Sequence, residues 1–329
     1  MQYRSLGSSG IKASVVAVGA WAIGGWPWGG TNEQDAIDAI RTGLDTGCNF
    51  IDTAPAYGLG LSEEIVGRAI AGRRRDVVIA TKCGLVWHTN KGQLAFEESG
   101  RSVYRYLGPE SIRYEVDQSL KRLGTDYIDL YQTHWQDPTK PIEDTMGTLM
   151  DLKSQGKIKA IGVSNASVAQ IEEYQDYGPV DTDQELYSML DRQIEQSNIS
   201  YCKEKDISVL AYSPLAMGLL TGKIGPDREF PPDDLRYNNP RFSVENRRKV
   251  SDMLDEFKSI AVKHNITLAQ LVIAWTIAQP GVTHALVGAR NRNQAIENTA
   301  AGNVTLTQEE ISVISNSIRR YTASRTPVI

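Results

Sequence analysis

Cysteine is scarce in this chain. Cys48, Cys83 and Cys202 are far apart and form no C-x-x-C pair. That excludes a disulfide framework and a zinc site as organising devices, and no other metal site is indicated. Positive charge is in deficit, with a formal net charge of −5 and no long Lys/Arg run. General affinity for nucleic acid is therefore not expected. The densest basic cluster, Arg73-Arg74-Arg75, reads as a solvated turn between a helix and the strand VVIATK. Long apolar runs are also missing, since nothing approaches the roughly 18 consecutive apolar residues of a membrane span. The opening MQYRSLGSSG has no signal-peptide core, so a cytoplasmic protein without membrane association is expected. The triplet Asn165-Ala166-Ser167 then carries no glycosylation meaning. No linker-like segment and no internal repeat divides the chain, and residues 1–329 read as one domain.

What the sequence does have is alternation. Short β-branched runs recur at 15–19, 48–52, 77–81, 127–132, 160–164, 180–184, 207–212 and 284–288. Stretches with helical spacing lie between them, such as EQDAIDAIRTGLDTG, PESIRYEVDQSLKRLG and IEDTMGTLMDLKSQG. Pro109 marks a helix start, and Gly124 and Gly156 fall where helix ends belong. Eight successive β-α units predict an α/β fold, a single (β/α)8 TIM barrel. Residues 1–14, with turn glycines at 7 and 10, suit an N-terminal β-hairpin closing the bottom. Residues 83–108 and 222–245 read as insertions, the second a long Pro- and Asn-rich loop, at the face where a barrel builds its active site. TQEEISVISNSIRR should form a last helix on the outside.

Polar residues fall at the C-terminal ends of these strands. Asp52 ends the second, with Tyr57 on its loop, and Lys82 ends the third. His134 follows the fourth, Ser164-Asn165 the fifth, Gln184 the sixth, and Tyr212-Ser213 the seventh. Each has an ordinary structural explanation: Asp52 could cap a turn, Tyr57 could pack a loop, and His134 could sit satisfied behind the site. Their joint placement is what points to chemistry. A Lys⁺ within roughly 4–6 Å of a phenol lowers its pKa and lets it serve as donor or acceptor. A buried Lys needs a counter-ion, for which Asp52 is placed. A neutral imidazole can orient a carbonyl oxygen without adding charge. Such a set polarises a carbonyl and protonates the oxygen after hydride arrives. No side chain supplies hydride, so a nicotinamide is implied.

Several ordered motifs span nearly the whole chain: NFIDTAPAYG with SEEIVGRAI, VVIATK, LKRLGTDYIDLYQTHWQDP, GKIKAIGVSN, LAYSPLAMGLLTGK and LVGARNRNQAIEN. Together they resemble the aldo-keto reductase superfamily, in particular a bacterial branch containing a general stress protein, an inositol-operon reductase and Gluconobacter-type glyceraldehyde reductase/glycerol dehydrogenase. The resemblance implies that Tyr57 is the general acid/base, that Lys82 lowers its pKa, that Asp52 pairs with Lys82, and that His134 orients the carbonyl. It implies NADPH/NADP+ as cofactor, with NADH the weaker alternative. Ser164 and Asn165, helped by Gln184, match the groups that hold the nicotinamide carboxamide, and Tyr212 matches the aromatic that stacks on its ring. Ser213, Leu215, Gly218 and Lys223 match the pyrophosphate loop. Gly288, Arg290, Gln294, Glu297 and Asn298 match the adenosine end, where Arg290 suits a 2′-phosphate. Ala20 and Trp21 at the first strand end, and Arg236 in the long loop, complete the cofactor candidates. Trp21, Trp26, Trp87 and Trp135 are the candidates for an aromatic substrate pocket. The sequence departs from many relatives at Ala166, which implies a roomier local cofactor pocket, and at Gly288, which leaves phosphate recognition to Arg290, with Lys223 or Arg236.

The expected function is NADPH-dependent reduction of aldehydes or ketones, glyceraldehyde and other short sugar aldehydes among them, reversible as alcohol or polyol oxidation. The alternative is an NADPH-binding regulatory or redox-sensing subunit with little turnover. Relatives of that kind carry Asn where His134 stands, so the intact set favours catalysis. A serine hydrolase is disfavoured because GVSNA has Ala166 in place of the last elbow glycine. A Rossmann dehydrogenase is disfavoured because GLGLSE has Glu63 where the third glycine belongs.

Overall fold

The computed structural model describes residues 1–323. It opens with an antiparallel hairpin of β1 (Tyr3–Ser5) and β2 (Lys12–Ser14). The barrel strands that follow are β3 (Val16–Gly19), β4 (Phe50–Asp52), β5 (Val78–Cys83), β9 (Ile128–Thr133), β10 (Ile158–Ser164), β11 (Thr182–Leu186), β12 (Ser208–Tyr212) and β13 (Val282–Gly288). Three further strands, β6 (Leu85–Val86), β7 (Gln93–Glu98) and β8 (Arg101–Arg105), lie between β5 and β9. The eight barrel strands are parallel neighbours and close on themselves in the order β10-β11-β12-β13-β3-β4-β5-β9. Every strand expected from the sequence is present, with ends displaced by one or two residues.

Helices α1 (Glu33–Asp45), α2 (Leu61–Ala69), α3 (Pro109–Leu123), α4 (Ile142–Ser154), α5 (Val168–Tyr177) and α6 (Asn198–Glu204) connect successive barrel strands. Between β12 and β13 come α7 (Val244–Asp255), α8 (Lys258–Lys263) and α9 (Leu268–Ile277), and the chain ends with α10 (Arg292–Ala300) and α11 (Gln308–Ala323). Gly124, at φ +64, takes the left-handed turn that ends α3. Among the described residues no helix is long and apolar enough to cross a membrane.

The period of two along each strand sorts the core. Phe50, Val78, Ala80, Leu130, Ala160, Leu210 and Leu286 point into the barrel, where Leu6 and Ala13 of the hairpin plug the floor. Ile51, Ile79, Tyr131, Ile161, Val163 and Val209 point outward against the helices. The same parity carries Asp52, two residues after Phe50, and Lys82, two after Ala80, into the interior at the open end. Gly162 belongs to this layer: a Cβ there would meet Thr182 Oγ1 at 2.2 Å and Gln132 Cγ at 2.9 Å.

The packing fills in one insertion and corrects one expectation. Residues 83–108, read from the sequence only as an insertion, contain a three-stranded antiparallel sheet in the order β6-β8-β7. Arg74 is not a solvated turn residue. Its guanidinium lies 3.9 Å from the Tyr127 ring centre and donates to Asp129 Oδ2 at 2.7 Å, because Asp129 points outward from β9 and needs a partner where it is buried. Of the long loop expected at 222–245, residues 222–239 form a connection without a strand or α-helix of its own, whereas α7 already begins at Val244.

His284 is wholly buried in the wall, with Nδ1 2.9 Å from Thr283 Oγ1 and its ring edge-on to Phe50 at 5.6 Å. Burial, with the charge of Arg4, pushes its pKa down to about 3. The unfolded chain therefore binds the proton first, and stability is complete above the ordinary value of 6.5 and is lost as pH falls towards 3. Urea unfolding between these limits should show a loss of up to about 1.4 kcal/mol per pH unit from this group, and His284→Leu should flatten that slope. An unchanged slope in the variant would refute the assignment.

Candidate functional site

At the open end of the barrel Lys82 is fully buried, and its ammonium has three acceptors for three N–H bonds. It donates to Asp52 Oδ1 at 2.7 Å, to the Thr53 carbonyl at 3.0 Å and to Tyr57 Oη at 3.2 Å. The other Asp52 oxygen accepts from Gln184 Nε2 at 2.8 Å and from Gln132 Nε2 at 3.4 Å. Both charges are thus compensated by hydrogen bonds as well as by each other, which a buried ion pair requires.

Tyr57 reaches this cluster because its loop is folded tightly against the chain that follows β3. Gly58 has φ +67, and a Cβ there would stand 2.2 Å from the Gly24 carbonyl oxygen. Only a glycine allows the two backbones to approach so closely at this dihedral. The Tyr57 and His134 rings meet edge to face at 5.6 Å, and Trp21 lies 6.4 Å away on another side.

The electrostatics assign protonation states. Burial raises the Tyr57 phenol, and Lys82 opposes that shift without cancelling it, so the lowered phenol pKa expected from the sequence is not what the surroundings produce. Burial acts to lower Lys82, but Asp52 and Tyr57 outweigh it and the ammonium is held above its usual range. Burial, followed by the Lys82 charge, drives His134 well below its ordinary value, leaving a neutral imidazole at pH 7. Since Lys82 donates to the phenol oxygen, the phenol's own proton is free to point into the cleft.

The cleft above this cluster has a volume of about 890 Å³. Asp52, Tyr57, His134, Ser164, Asn165, Gln184 and Tyr212 form its inner end, and Trp21, Trp26, Trp135 and Phe96 form an aromatic side. Ser213, Leu215, Gly218, Lys223, Arg236, Gly288, Arg290, Gln294, Glu297 and Asn298 line the remainder. Phe96, which comes from β7, was not found from the sequence, because the antiparallel sheet that carries it was not. Three sequence candidates lie elsewhere. Ala20 is buried, with its N–H bonded to the Asp52 carbonyl. Lys82 sits behind Tyr57 and Asp52. Trp87 lines a second cavity of about 750 Å³, with His88, Tyr114 and Lys121; Leu85 faces both cavities, and Trp87, on the same short strand connection, borders only the outer one.

The cleft's shape and donors fit a nicotinamide dinucleotide. Asn165 Nδ2 bonds Ser164 Oγ and the His134 carbonyl, each at 3.0 Å, and Asn165 Oδ1 accepts from Tyr212 Oη at 2.9 Å. Gln184 is committed to Asp52, so its amide supports the ion pair. Ser213, Ala216, Met217 and Gly218 all have positive φ, and the Ala216 and Gly218 N–H groups close tight turns onto the Ser213 and Leu215 carbonyls at 2.8 and 2.9 Å. At the far end Arg290 donates to the Trp28 and Gly30 carbonyls at 3.1 and 2.6 Å. Lys223 pairs with Glu297 at 2.7 Å and Arg236 with Asp234 at 2.6 Å. The Trp28 and Asp234 backbones pair across this end. Among the described residues no group of three His, Cys, Asp or Glu is disposed to hold a metal ion.

The sequence pattern of the Aldo/keto reductase family matches residues 15–319. The chain belongs to that family. The aldo-keto reductase YhdN of Bacillus subtilis is 42% identical over 297 residues, covering 89% of this chain and 86% of YhdN. The NADH-specific methylglyoxal reductase of Escherichia coli is 43% identical over 315 residues, covering 94% of this chain and 96% of that protein. Among solved structures, the glycerol dehydrogenase of Gluconobacter oxydans superposes with a TM-score of 0.87 at 38% identity, covering 97% of this chain and 95% of the other. This aldo-keto reductase is accordingly an oxidoreductase acting on carbonyl groups, in a family that uses nicotinamide cofactors.

The ion pair makes a stability prediction. Asp52→Ala would leave a buried ammonium uncompensated and should cost about 3–5 kcal/mol, read as a fall in Tm. Adding Lys82→Met to that variant should recover part of the loss. A double variant less stable than Asp52→Ala would show that the charge is not the cause.

Proposed function

We propose that this aldo-keto reductase reduces short polar aldehydes and ketones, glyceraldehyde-like substrates among them, with NADPH preferred over NADH, and that Tyr57 delivers the proton. The observation that carries the reading is the Lys82 ammonium bonded to both Asp52 and the Tyr57 oxygen. Bound cofactor supplies hydride to the carbonyl carbon. The chain's residues act on the oxygen. His134, neutral, donates a hydrogen bond that orients the carbonyl. Tyr57 gives its proton to the oxygen as charge develops there, and Lys82 stabilises the phenolate that remains. Asp52 keeps Lys82 charged throughout. Ser164 and Asn165 hold the carboxamide, and Tyr212 limits which ring face is open. The reverse reaction uses the phenolate as base, so alcohol or polyol oxidation is chemically equivalent.

The substrate class rests on two relatives, a methylglyoxal reductase and a glycerol dehydrogenase, and on a pocket that sets Trp21, Trp26 and Trp135 around the polar end. The cofactor preference rests on Arg290. Two of its five N–H donors hold the Trp28–Gly30 segment, and the rest remain for a 2′-phosphate. The NADH-specific relative makes NADH the competing choice.

Tyr57→Phe should lower kcat by roughly 10²–10⁴-fold, with cofactor affinity retained in a fluorescence titration; near-normal turnover with methylglyoxal or glyceraldehyde would sink the assignment. Arg290→Ala should weaken NADPH at least about tenfold and NADH much less. Equal losses would mean that Arg290 only ties the two loops together.

A further inference from the structure

The turn carrying Ser164 and Asn165 is held from outside the cleft by groups that the reaction does not touch. Asn165 has φ +54, in the left-handed region, which asparagine tolerates better than most residues other than glycine. The next residue is gripped at both backbone groups. The Ala166 N–H donates to Glu185 Oε1 at 3.0 Å, and the Ala166 carbonyl accepts from Asn198 Nδ2 at 2.7 Å. Asn198 Nδ2 also donates to Asp183 Oδ2 at 2.9 Å.

Asp183 and Glu185 flank Gln184 on β11. Parity sends Gln184 into the barrel to Asp52 and the two acids outward, beneath the turn and against α6. Both acids are buried. Asp183 Oδ1 has no hydrogen-bond donor when both are ionised. Burial raises both groups, and the Asp183 charge raises Glu185 further, so the pair holds a proton at neutral pH. Carried by Glu185, that proton serves Asp183, while the other Glu185 oxygen serves Ala166. Among the described residues no cation is paired with either acid; the near neighbours are Asn198 and the Cys202 thiol, the latter at 3.7 Å from Asp183.

We propose that Glu185, Asp183 and Asn198 form a positioning brace that fixes the Ser164-Asn165-Ala166 turn and thereby sets the strength of binding at the nicotinamide end of the cofactor. The inference rests on the cofactor reading above. Its signature is selectivity between the two ends of the dinucleotide, because the brace lies under one end only.

The test measures the Kd of NADPH and NADH alongside ADP-ribose and 2′,5′-ADP, which carry only the adenine end, in the full-length enzyme. Glu185→Ala and Asn198→Ala should each weaken the better dinucleotide about tenfold and leave the adenine-end ligands unchanged, with the KM for cofactor rising more than kcat falls. Glu185→Gln should recover most of the loss, because its amide oxygen accepts from Ala166 and its amide N–H donates to Asp183. Equal weakening of the adenine-end ligands, full cofactor affinity in both alanine variants, or a Glu185→Gln enzyme as impaired as Glu185→Ala would overturn the brace. If Glu185→Ala does not fold, Asn198→Ala and Glu185→Gln decide alone. Wild-type enzyme that binds neither dinucleotide would overturn the functional reading, and the brace with it.

Discussion

A fully buried ammonium governs the rest of this site. Removing Lys82 from water costs several kcal/mol unless every proton is bonded and the charge is matched. Asp52, the Thr53 carbonyl and the Tyr57 oxygen satisfy those demands. Each then becomes constrained in turn. Asp52 must be reached by Gln184 and Gln132, Thr53 must follow β4 without a break, and Tyr57 must be folded back by Gly58. The proposed catalytic geometry and the solvation of one cation are the same set of bonds.

Barrel closure makes that set possible. The period of two along β4, β5, β9 and β11 delivers Asp52, Lys82, Gln132 and Gln184 to one interior layer, although 132 positions separate Asp52 from Gln184 along the chain. The outward parity of the neighbouring positions is equally consequential. It places Asp183 and Glu185 under the turn that presents Asn165, so a single strand serves the ion pair on one side and the proposed cofactor end on the other. The two long connections supply what the barrel strands do not: β7 brings Phe96 to the aromatic wall, and the segment after β12 brings Lys223 and Arg236 to the far end.

Much of this was legible in the residues. The eight strands were readable because buried parallel strands are short, β-branched and bounded by helical spacing, and the polar residues at their ends stood out against apolar runs. Arg74 was misread because a basic triplet looks solvated until Asp129, 55 positions away, is seen to need a partner. The sheet at 83–108 was missed because β7 and β8 mix exposed, half-buried and buried positions without a regular alternation. Trp87 was set with the other tryptophans by proximity to a strand end, and only the direction of its side chain separates it from them.

The sequence alone determined the barrel, the position of Asp52, Tyr57, Lys82 and His134 at its strand ends, and the kind of chemistry proposed for them, because periodicity and strand-end position are local properties of the chain. Tertiary structure decided the protonation states, since burial, not the nearby charge alone, sets the Tyr57 and His134 shifts. It also decided which face of β11 each acid takes, that Gln184 serves Asp52, and that Arg290 is tied to the Trp28–Gly30 segment. Those outcomes depend on what lies within a few ångströms across the fold, and desolvation has no signature in a linear pattern.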